Sequence, residues 1–339
     1  MKIKIFGAGM AGCFLGKKIQ EYNEENNRKI DFEIFDIRSK PNCSCAWGLV
    51  ITKYLKKSGI FDNYFKEYIL VHPKKMIING VSKRINHITI FNKKKWLNHM
   101  WDELGVKTIV KPDVQNCDVV VDATGVRRAL LPKCDSDRIA TTYQQMIFDP
   151  FHDEKTIYIY MNKYGYGWAF PLGGNKWHIG AGAFKEDEVI RLFNNVREYY
   201  EFCDNCKCSC KGEVRCVPLG SIPIYRDNVV GVGESIGLVT LLGEGNTPAI
   251  ESSDILFSFL SLCDEYKINP ESVFKSYQDA LFEFYSWQPK QYKFYETFLK
   301  SRIRAVPKLI EYITDYNKRV GDYCSMNDLL KMVYLYFKI

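Results

Sequence analysis

The chain opens with Lys2-Ile3-Lys4-Ile5-Phe6-Gly7-Ala8-Gly9-Met10-Ala11-Gly12, and Phe32-Glu33-Ile34-Phe35-Asp36 follows, its acid about 24 residues past Gly12. Lys2 to Phe6 alternates basic and apolar side chains and reads as a strand. Behind the glycines, Phe14, Leu15 and Ile19 recur with helical spacing. Strand, glycine turn, helix and second strand with an acid at this distance make a dinucleotide-binding βαβ unit. Each residue type has a physical task there. Gly7 permits the tight turn, Gly9 lets backbone approach a pyrophosphate, and Gly12 lets the helix sit close to the strand. The first helical amides then face the phosphates. Asp36 is placed to accept hydrogen bonds from an adenosine ribose.

Working outward, Asn42-Cys43-Ser44-Cys45-Ala46-Trp47-Gly48 is uncharged and mostly small, as a loop on the ligand side of the sheet would be. Asp118-Val119-Val120-Val121-Asp122-Ala123-Thr124-Gly125 reads as a buried parallel strand ending in small residues. Ile157 to Met161 is strand-like, and Tyr166-Gly167-Trp168-Ala169-Phe170-Pro171 precedes a further strand, Lys176 to Ala183, with Gly180 and Gly182. Alternate aromatics share one face of a strand, either as a core or as the wall of an apolar pocket. A third glycine segment, Asn228 to Gly237 followed by Leu242 to Pro248, predicts a strand, a tight turn and the start of a helix whose buried part is Ile250 to Leu262. From Glu271 onward the pattern is helical and rich in Tyr and Phe, with Lys300, Arg302, Arg304 and Lys308 making it locally basic. Such a cap can close a lipid site or rest on an anionic membrane surface.

Composition limits the alternatives. The 339 residues are 46% hydrophobic, 26% charged and 14% aromatic, which excludes disorder as the main state. The longest uncharged runs are about 12 residues, short of the roughly 20 that a spanning helix needs. No signal-peptide pattern opens the chain, so a cytoplasmic location is expected. A net charge of +7 is spread along the chain, and no nucleic-acid partner is expected. The 5 histidines form no HxxxH or HxH pair. Of the 12 cysteines, Cys203, Cys206, Cys208, Cys210 and Cys216 cluster. They are candidates for a metal or iron–sulfur site, although their spacing fits neither a zinc ribbon nor a ferredoxin run, and disulfides or free thiols stay open. Cys13, Cys117, Cys134, Cys263 and Cys324 are isolated and read as core positions.

Taken in order, these segments resemble the flavoprotein family that contains the geranylgeranyl reductases, within the larger para-hydroxybenzoate hydroxylase type. The motif Tyr166-x-Trp168-x-Phe170-Pro171 followed by Gly180-x-Gly182 is similar to the YxWxFP…GxG signature of prenyl reductases. The N-terminal glycine loop with Asp36, Asp122-Ala123-Thr124-Gly125, and Gly233-Glu234 in place of the family's Gly-Asp support it. The resemblance implies FAD held by Gly7, Gly9, Ala11, Gly12 and Asp36 at its adenosine and diphosphate end. Cys45, Ala46, Gly48, Lys93, Ala123, Glu234, Gly245 and Asn246 would meet the rest. It implies an α/β fold: a doubly wound, Rossmann-like FAD-binding domain (1–60, 85–150 and 216–265), an inserted β-sheet substrate domain (61–84 and 151–215) and a C-terminal helical cap (266–339). Tyr166, Trp168, Phe170, Pro171, Gly180 and Gly182 would line the substrate, with Cys45 or Tyr166 as proton donor.

The activity so implied is FAD-dependent reduction of isoprenoid double bonds, on a geranylgeranyl diphosphate or an archaeal-type ether lipid. Only one dinucleotide-type glycine loop is present, so the electron donor is expected to be external: a ferredoxin, reduced flavin or NAD(P)H. A prenyl substrate implies peripheral contact with a membrane. A monooxygenase or halogenase on the same scaffold, and a non-catalytic redox or metal module built on the cysteine cluster, are the competing readings.

Overall fold

Ile3, Ile5 and Phe6 are buried along the first strand, Lys2–Phe6, and Val119, Val120 and Val121 are fully buried in Val119–Asp122. Strands buried on both faces lie in the interior of a parallel sheet, and these two take its centre. The computed structural model describes residues 1–27, 29–41, 47–135, 137–203, 205, 208–321, 330–331 and 333–334. It divides into two units: Met1–Asn42, Lys94–Arg138 and Arg215–Pro289 form one, and Cys43–Lys93, Ile139–Val214 and Lys290–Ile339 the other.

In the first unit six strands lie in the order Tyr225–Arg226, Val229–Gly231, Val119–Asp122, Lys2–Phe6, Asp31–Asp36, Lys107–Thr108. All neighbours are parallel except the first pair, which is an antiparallel hairpin. The chain leaves Lys2–Phe6 in one direction across the sheet and resumes at Val119–Asp122 on its other side. The order thus reverses between these two strands, which is where α/β sheets bind ligands. Helix Met10–Asn26 buries its first two turns, and Ser253 of helix Asn246–Tyr266 donates to its Ala11 carbonyl at 3.0 Å. Lys4, an unexpected cation in a buried strand, runs its ammonium out to the Asp113 carboxylate and the Gln115 carbonyl, at 3.0 and 2.8 Å.

The second unit holds a seven-stranded sheet in the order Cys208–Arg215, Ile139–Phe148, Lys176–Ala183, Gly165–Gly173, Thr156–Asn162, Lys75–Ile78, Val81–Arg84. Tyr166 to Pro171 is itself a strand, the antiparallel partner of Lys176–Ala183. Helix Glu186–Tyr199 covers one face, where Ala169, Trp177, Ile179, Leu192 and Val196 form a core. Residues 43–93, which the sequence divided between two domains, belong here as a block, because Lys75–Ile78 pairs in parallel with Thr156–Asn162. The C-terminal helices are not one cap either. Helix Glu271–Phe284 joins the first unit, where the Tyr277 hydroxyl donates to the Gly231 carbonyl at 3.0 Å. Helix Arg302–Val320 lies in the second, around Phe298, Ala305, Leu309 and Ile313. Of the C-terminal aromatics, Tyr285, Trp287, Tyr292 and Phe298 are buried, Phe282 and Tyr334 are exposed, and Tyr336 and Phe337 lie outside the described residues.

One acid anchors the second unit. Asp149 is fully buried and accepts from the Cys203 amide, the Phe151 amide and the His152 ring, each at 2.9 Å. His152 stacks on Phe202 with ring centroids 3.8 Å apart and reaches the Tyr200 carbonyl at 2.7 Å. Burial alone would raise the Asp149 pKa, but these hydrogen bonds more than reverse it and bring it from 3.8 to about 2. The folded value lies below the unfolded one, so the contribution is complete above the unfolded pKa and is lost as the pH falls through the folded value. Its size is about 2 kcal/mol. Asp149→Asn should remove this acid-dependent part of stability, read from urea midpoints between about pH 5 and about pH 2. An unchanged slope in that variant would assign acid sensitivity to other carboxylates.

Candidate functional site

In the glycine loop, Gly7 and Gly12 sit where the backbone requires the absence of a side chain. Gly7 has φ +102°, and a Cβ there would lie 2.3 Å from the Ala123 carbonyl oxygen. A Cβ on Gly12 would lie 2.0 Å from the Gly7 carbonyl. Only glycine allows this mutual approach of loop, helix and neighbouring strand end. Gly9 differs: a Cβ there would have no heavy atom within 4 Å. It is the N-cap of helix Met10–Asn26 and provides no side chain to close the helix end. Uncapped amides at a helix N-terminus, facing open space, make an anion site.

Asp36 and Trp101 fix this loop from opposite polarities. The Asp36 carboxylate accepts the Ala8 amide at 2.9 Å, while the Trp101 indole N–H donates to the Ala8 carbonyl at 2.7 Å. Asp36 also accepts the Arg38 amide and guanidinium, at 3.0, 2.8 and 2.8 Å. Burial would raise its pKa, yet the bonds from Arg38 and Ala8 hold it below the ordinary carboxylate value. The acid is therefore charged and well occupied, and a ribose hydroxyl would share it with Arg38. Trp101 is a contributor that the sequence did not reveal, since it lies on helix Lys93–Glu103, far along the chain. Trp101→Phe should cost about 1 kcal/mol of stability and weaken flavin retention roughly fivefold, measured by thermal unfolding and flavin titration. Full retention would show that Asp36 alone orders the loop.

The remaining first-unit residues gather at the same strand ends. Ala123 begins the turn after Val119–Asp122. Asp122, fully buried, holds that turn by accepting from the Thr124 hydroxyl and amide and from the Leu130 and Leu131 amides, at 2.6, 3.0, 2.9 and 3.0 Å. Gly233 has φ +63°, and a Cβ there would meet Ala249 at 3.3 Å and Ala11 at 3.4 Å, so the turn nests between the starts of two helices. Gly245 is the second helix's N-cap, again without a capping side chain, and Asn246 is its first residue. Glu234 accepts the Arg215 amide at 2.8 Å and lies against Gly125. Two buried cations were also missed. Arg128 donates to the carbonyls of Pro132, Pro223 and Ser235, and Arg215 pairs with Asp137 and donates to the Val126 carbonyl. They serve this turn region through backbone partners that no motif announces.

Gly48 and Lys93 belong to the second unit. Gly48 opens strand Gly48–Val50, where a Cβ would meet nothing within 4 Å, and Lys93 opens its helix half-buried. Cys45 and Ala46 lie outside the described residues. On the large sheet, Tyr166, Trp168 and Phe170 line the face opposite the helix, together with Ile157, Ile159 and Met161. Gly180 is directly opposite Trp168, and a Cβ there would lie 2.5 Å from the indole. Gly182 is opposite Tyr166, and a Cβ there would lie 3.8 Å from the same indole. Gly180 thus makes room for the Trp168 indole, while a Cβ at Gly182 would meet Thr142 first, at 3.4 Å. Pro171 is a correction: strand alternation turns it to the helix face, opposite Trp177.

The cysteine cluster shows no metal geometry among the described residues, where no three His, Cys, Asp or Glu side chains are placed to hold an ion. Cys206 lies outside them. Cys203, Cys208, Cys210 and Cys216 are free thiols. A hydrogen bond to Asp149 raises the Cys203 pKa, and burial pushes Cys216 up to about 12. Cys13 and Cys263 are buried as expected, Cys117 and Cys134 are half-buried, and Cys324 is outside the described residues.

No protein-family model matches the chain. An uncharacterized protein of Methanocaldococcus jannaschii is 26% identical over 98% of this chain and 100% of its own length. Among solved structures, a geranylgeranyl bacteriochlorophyll reductase-like protein from Thermoplasma acidophilum matches 98% of this chain and 95% of its own, with TM-score 0.71 and 15% identity. A probable FAD-dependent monooxygenase from Pseudomonas aeruginosa matches 91% and 99%, with TM-score 0.63 and 16% identity. The flavin-dependent halogenase CmlS matches 100% of this chain and 70% of its own, with TM-score 0.63 and 13% identity. The chain has the mixed α/β fold, with its Rossmann-type sheet, that this reductase-like protein, the monooxygenase and the halogenase share.

Proposed function

We propose that the chain is an FAD-dependent oxidoreductase that reduces carbon–carbon double bonds of a geranylgeranyl or related prenyl substrate. The observation that carries the cofactor is the open space at Gly9 before an uncapped helix N-terminus, with Gly7 and Gly12 locked behind it. These residues fit the pyrophosphate of FAD, and Asp36 with Arg38 fits its ribose. The prenyl reading is supported by the apolar face of Tyr166, Trp168 and Phe170 and by the likeness to a geranylgeranyl bacteriochlorophyll reductase-like fold.

When bound, reduced FAD supplies a hydride to one alkene carbon. The chain's own part is to hold the alkene in place, exclude water and deliver a proton to the other carbon. Tyr166, half-buried on the aromatic face, carries the hydroxyl suited to that transfer; Cys45, the other candidate, lies outside the described residues. An external reductant is required, since one dinucleotide-type glycine loop is present. No described helix is long and apolar enough to cross a membrane. Leu299 and Ile303, 56% and 77% exposed, stand beside Lys300, Arg302 and Arg304, an arrangement suited to resting on an anionic lipid surface.

The second reading is monooxygenation or halogenation, supported by the likeness to those folds. An anaerobic absorbance spectrum, dithionite reduction and then geranylgeranyl diphosphate or its ether lipid separate the two. Flavin bands that bleach and return with the prenyl compound are expected. Return only with oxygen would transfer the assignment to the second reading, and absence of flavin would overturn both.

A further inference from the structure

Two buried ring nitrogens on the aromatic face of the large sheet have no hydrogen-bond partner among the described residues: Nε1 of Trp168 and Nδ1 of His178. Trp168 is 5% exposed and His178 1%. Trp168 stands directly across from Gly180, and Phe170 from His178. Directly opposed residues of neighbouring strands point to the same side, so both nitrogens belong to one face. On the next strand Gln144 is opposite Gly180 and is also buried, which extends the polar row. Burial lowers the His178 pKa to about 4, so the ring is neutral at pH 7 and carries one N–H.

Buried polar groups are almost always hydrogen-bonded in native proteins. Two orphaned nitrogens in one wall mark a place that a ligand atom completes. Their surroundings select its chemistry. Trp47 meets the His178 ring edge-on at 4.8 Å, and the face is otherwise built from Met, Ile, Tyr and Phe. The strands on either side of Trp168 and His178 put no Lys or Arg on it, their registers running Thr142, Gln144, Met146; His178, Gly180, Gly182; and Ile157, Ile159, Met161, while Lys83, in register on this face opposite Met76, stands on the edge strand beyond Thr156–Asn162 and Lys75–Ile78. A diphosphate here would be stripped of water without a cation to receive it.

We propose that Trp168 and His178 bind an uncharged oxygen acceptor, an ether, ester or alcohol oxygen, carried by the ligand whose chain lies along Tyr166 and Phe170. The inference rests on the proposed prenyl substrate and adds the chemistry of its head. His178 is then a specificity-determining residue.

The test uses the full chain with three probes: geranylgeraniol, its diphosphate, and the oxygen-free tetraene hydrocarbon of equal length. Wild type should bind the alcohol about tenfold more tightly than the hydrocarbon. His178→Phe should reduce that preference to within about twofold, whereas His178→Asn, which restores an amide N–H near the Nδ1 position, should keep most of it. Trp168→Phe, which removes only the indole N–H and part of the ring, carries the same test if His178→Phe does not fold. Equal binding of alcohol and hydrocarbon by wild type overturns the proposal. So does a preference that survives in both Phe variants, or a diphosphate that outcompetes the alcohol in all of them. Flavin bleaching and return, read in the same preparations, report the reductase reading separately: their loss with the alcohol preference intact would leave this inference standing, and the converse would remove it alone.

Discussion

Gly9→Val is expected to give a folded protein that does not retain FAD. Gly9 has φ −86° and ψ −162°, a backbone conformation open to any residue, and its Cβ direction meets nothing within 4 Å. The fold therefore has no objection to valine. The isopropyl group instead occupies the space in front of the first amides of helix Met10–Asn26, where a pyrophosphate must lie to use them. Flavin affinity should fall at least about 100-fold, equivalent to about 2.7 kcal/mol, while the unfolding temperature stays within about 2 °C. Gly12→Val provides the contrast. Its Cβ would lie 2.0 Å from a backbone oxygen that cannot turn away, so it should destabilise the protein by about 3 kcal/mol or more. Flavin absorbance of the purified variants and their thermal unfolding distinguish the two effects. A Gly9→Val protein purified with a full complement of flavin would sink the cofactor assignment.

Gly180→Ala should destabilise the protein by about 2 to 3 kcal/mol, a large cost for a single methyl group. The added carbon would lie 2.5 Å from the Trp168 ring and 2.9 Å from the Tyr143 carbonyl. Trp168→Ala, which empties a site packed against Ile85, Ile157 and Ile159, should cost about 3 to 5 kcal/mol. In combination, the second methyl enters space the indole has left, and the double variant should be less unstable than the sum of the two by more than about 1 kcal/mol. Urea midpoints of the three variants make the measurement. Simple additivity would mean that Gly180 is there for the strand partner's carbonyl and not for the indole. Trp168→Ala is also expected to weaken prenyl binding, but the burial of the ring means that its effect on turnover must be read against the stability loss.

The glycine loop and its close backbone contacts were legible because their determinants are local. Gly7, Gly9 and Gly12 lie within one turn, and their tasks follow from the absence of a side chain at each point. The aromatic strand was legible as a period-2 pattern, although the pattern alone did not say that Gly180 makes room for the Trp168 ring or that Pro171 turns away. Trp101, Arg128 and Arg215 were not legible. Each acts on backbone carbonyls contributed by distant segments, and a carbonyl leaves no mark in the sequence. His178 looked like one of five scattered histidines, and only the strand register places its ring on the same face as the Trp168 indole.

The sequence by itself determined the parallel sheet, the glycine turn at its centre and the side of the strand on which the aromatics lie, because these depend on neighbours within a few residues and on the periods of helix and strand. Tertiary structure decided which chain segments share a unit. Residues 47–93 go to the second unit, where Lys75–Ile78 joins the large sheet through one parallel pairing, and the C-terminal helices part at Pro289 between two separate cores. Parallel pairing and helix docking join residues far apart in the chain, and apolar strands and amphipathic helices carry no label for their partner. Tertiary structure also decided which buried polar atoms are satisfied and which are left over, since that depends on every group that reaches them at once.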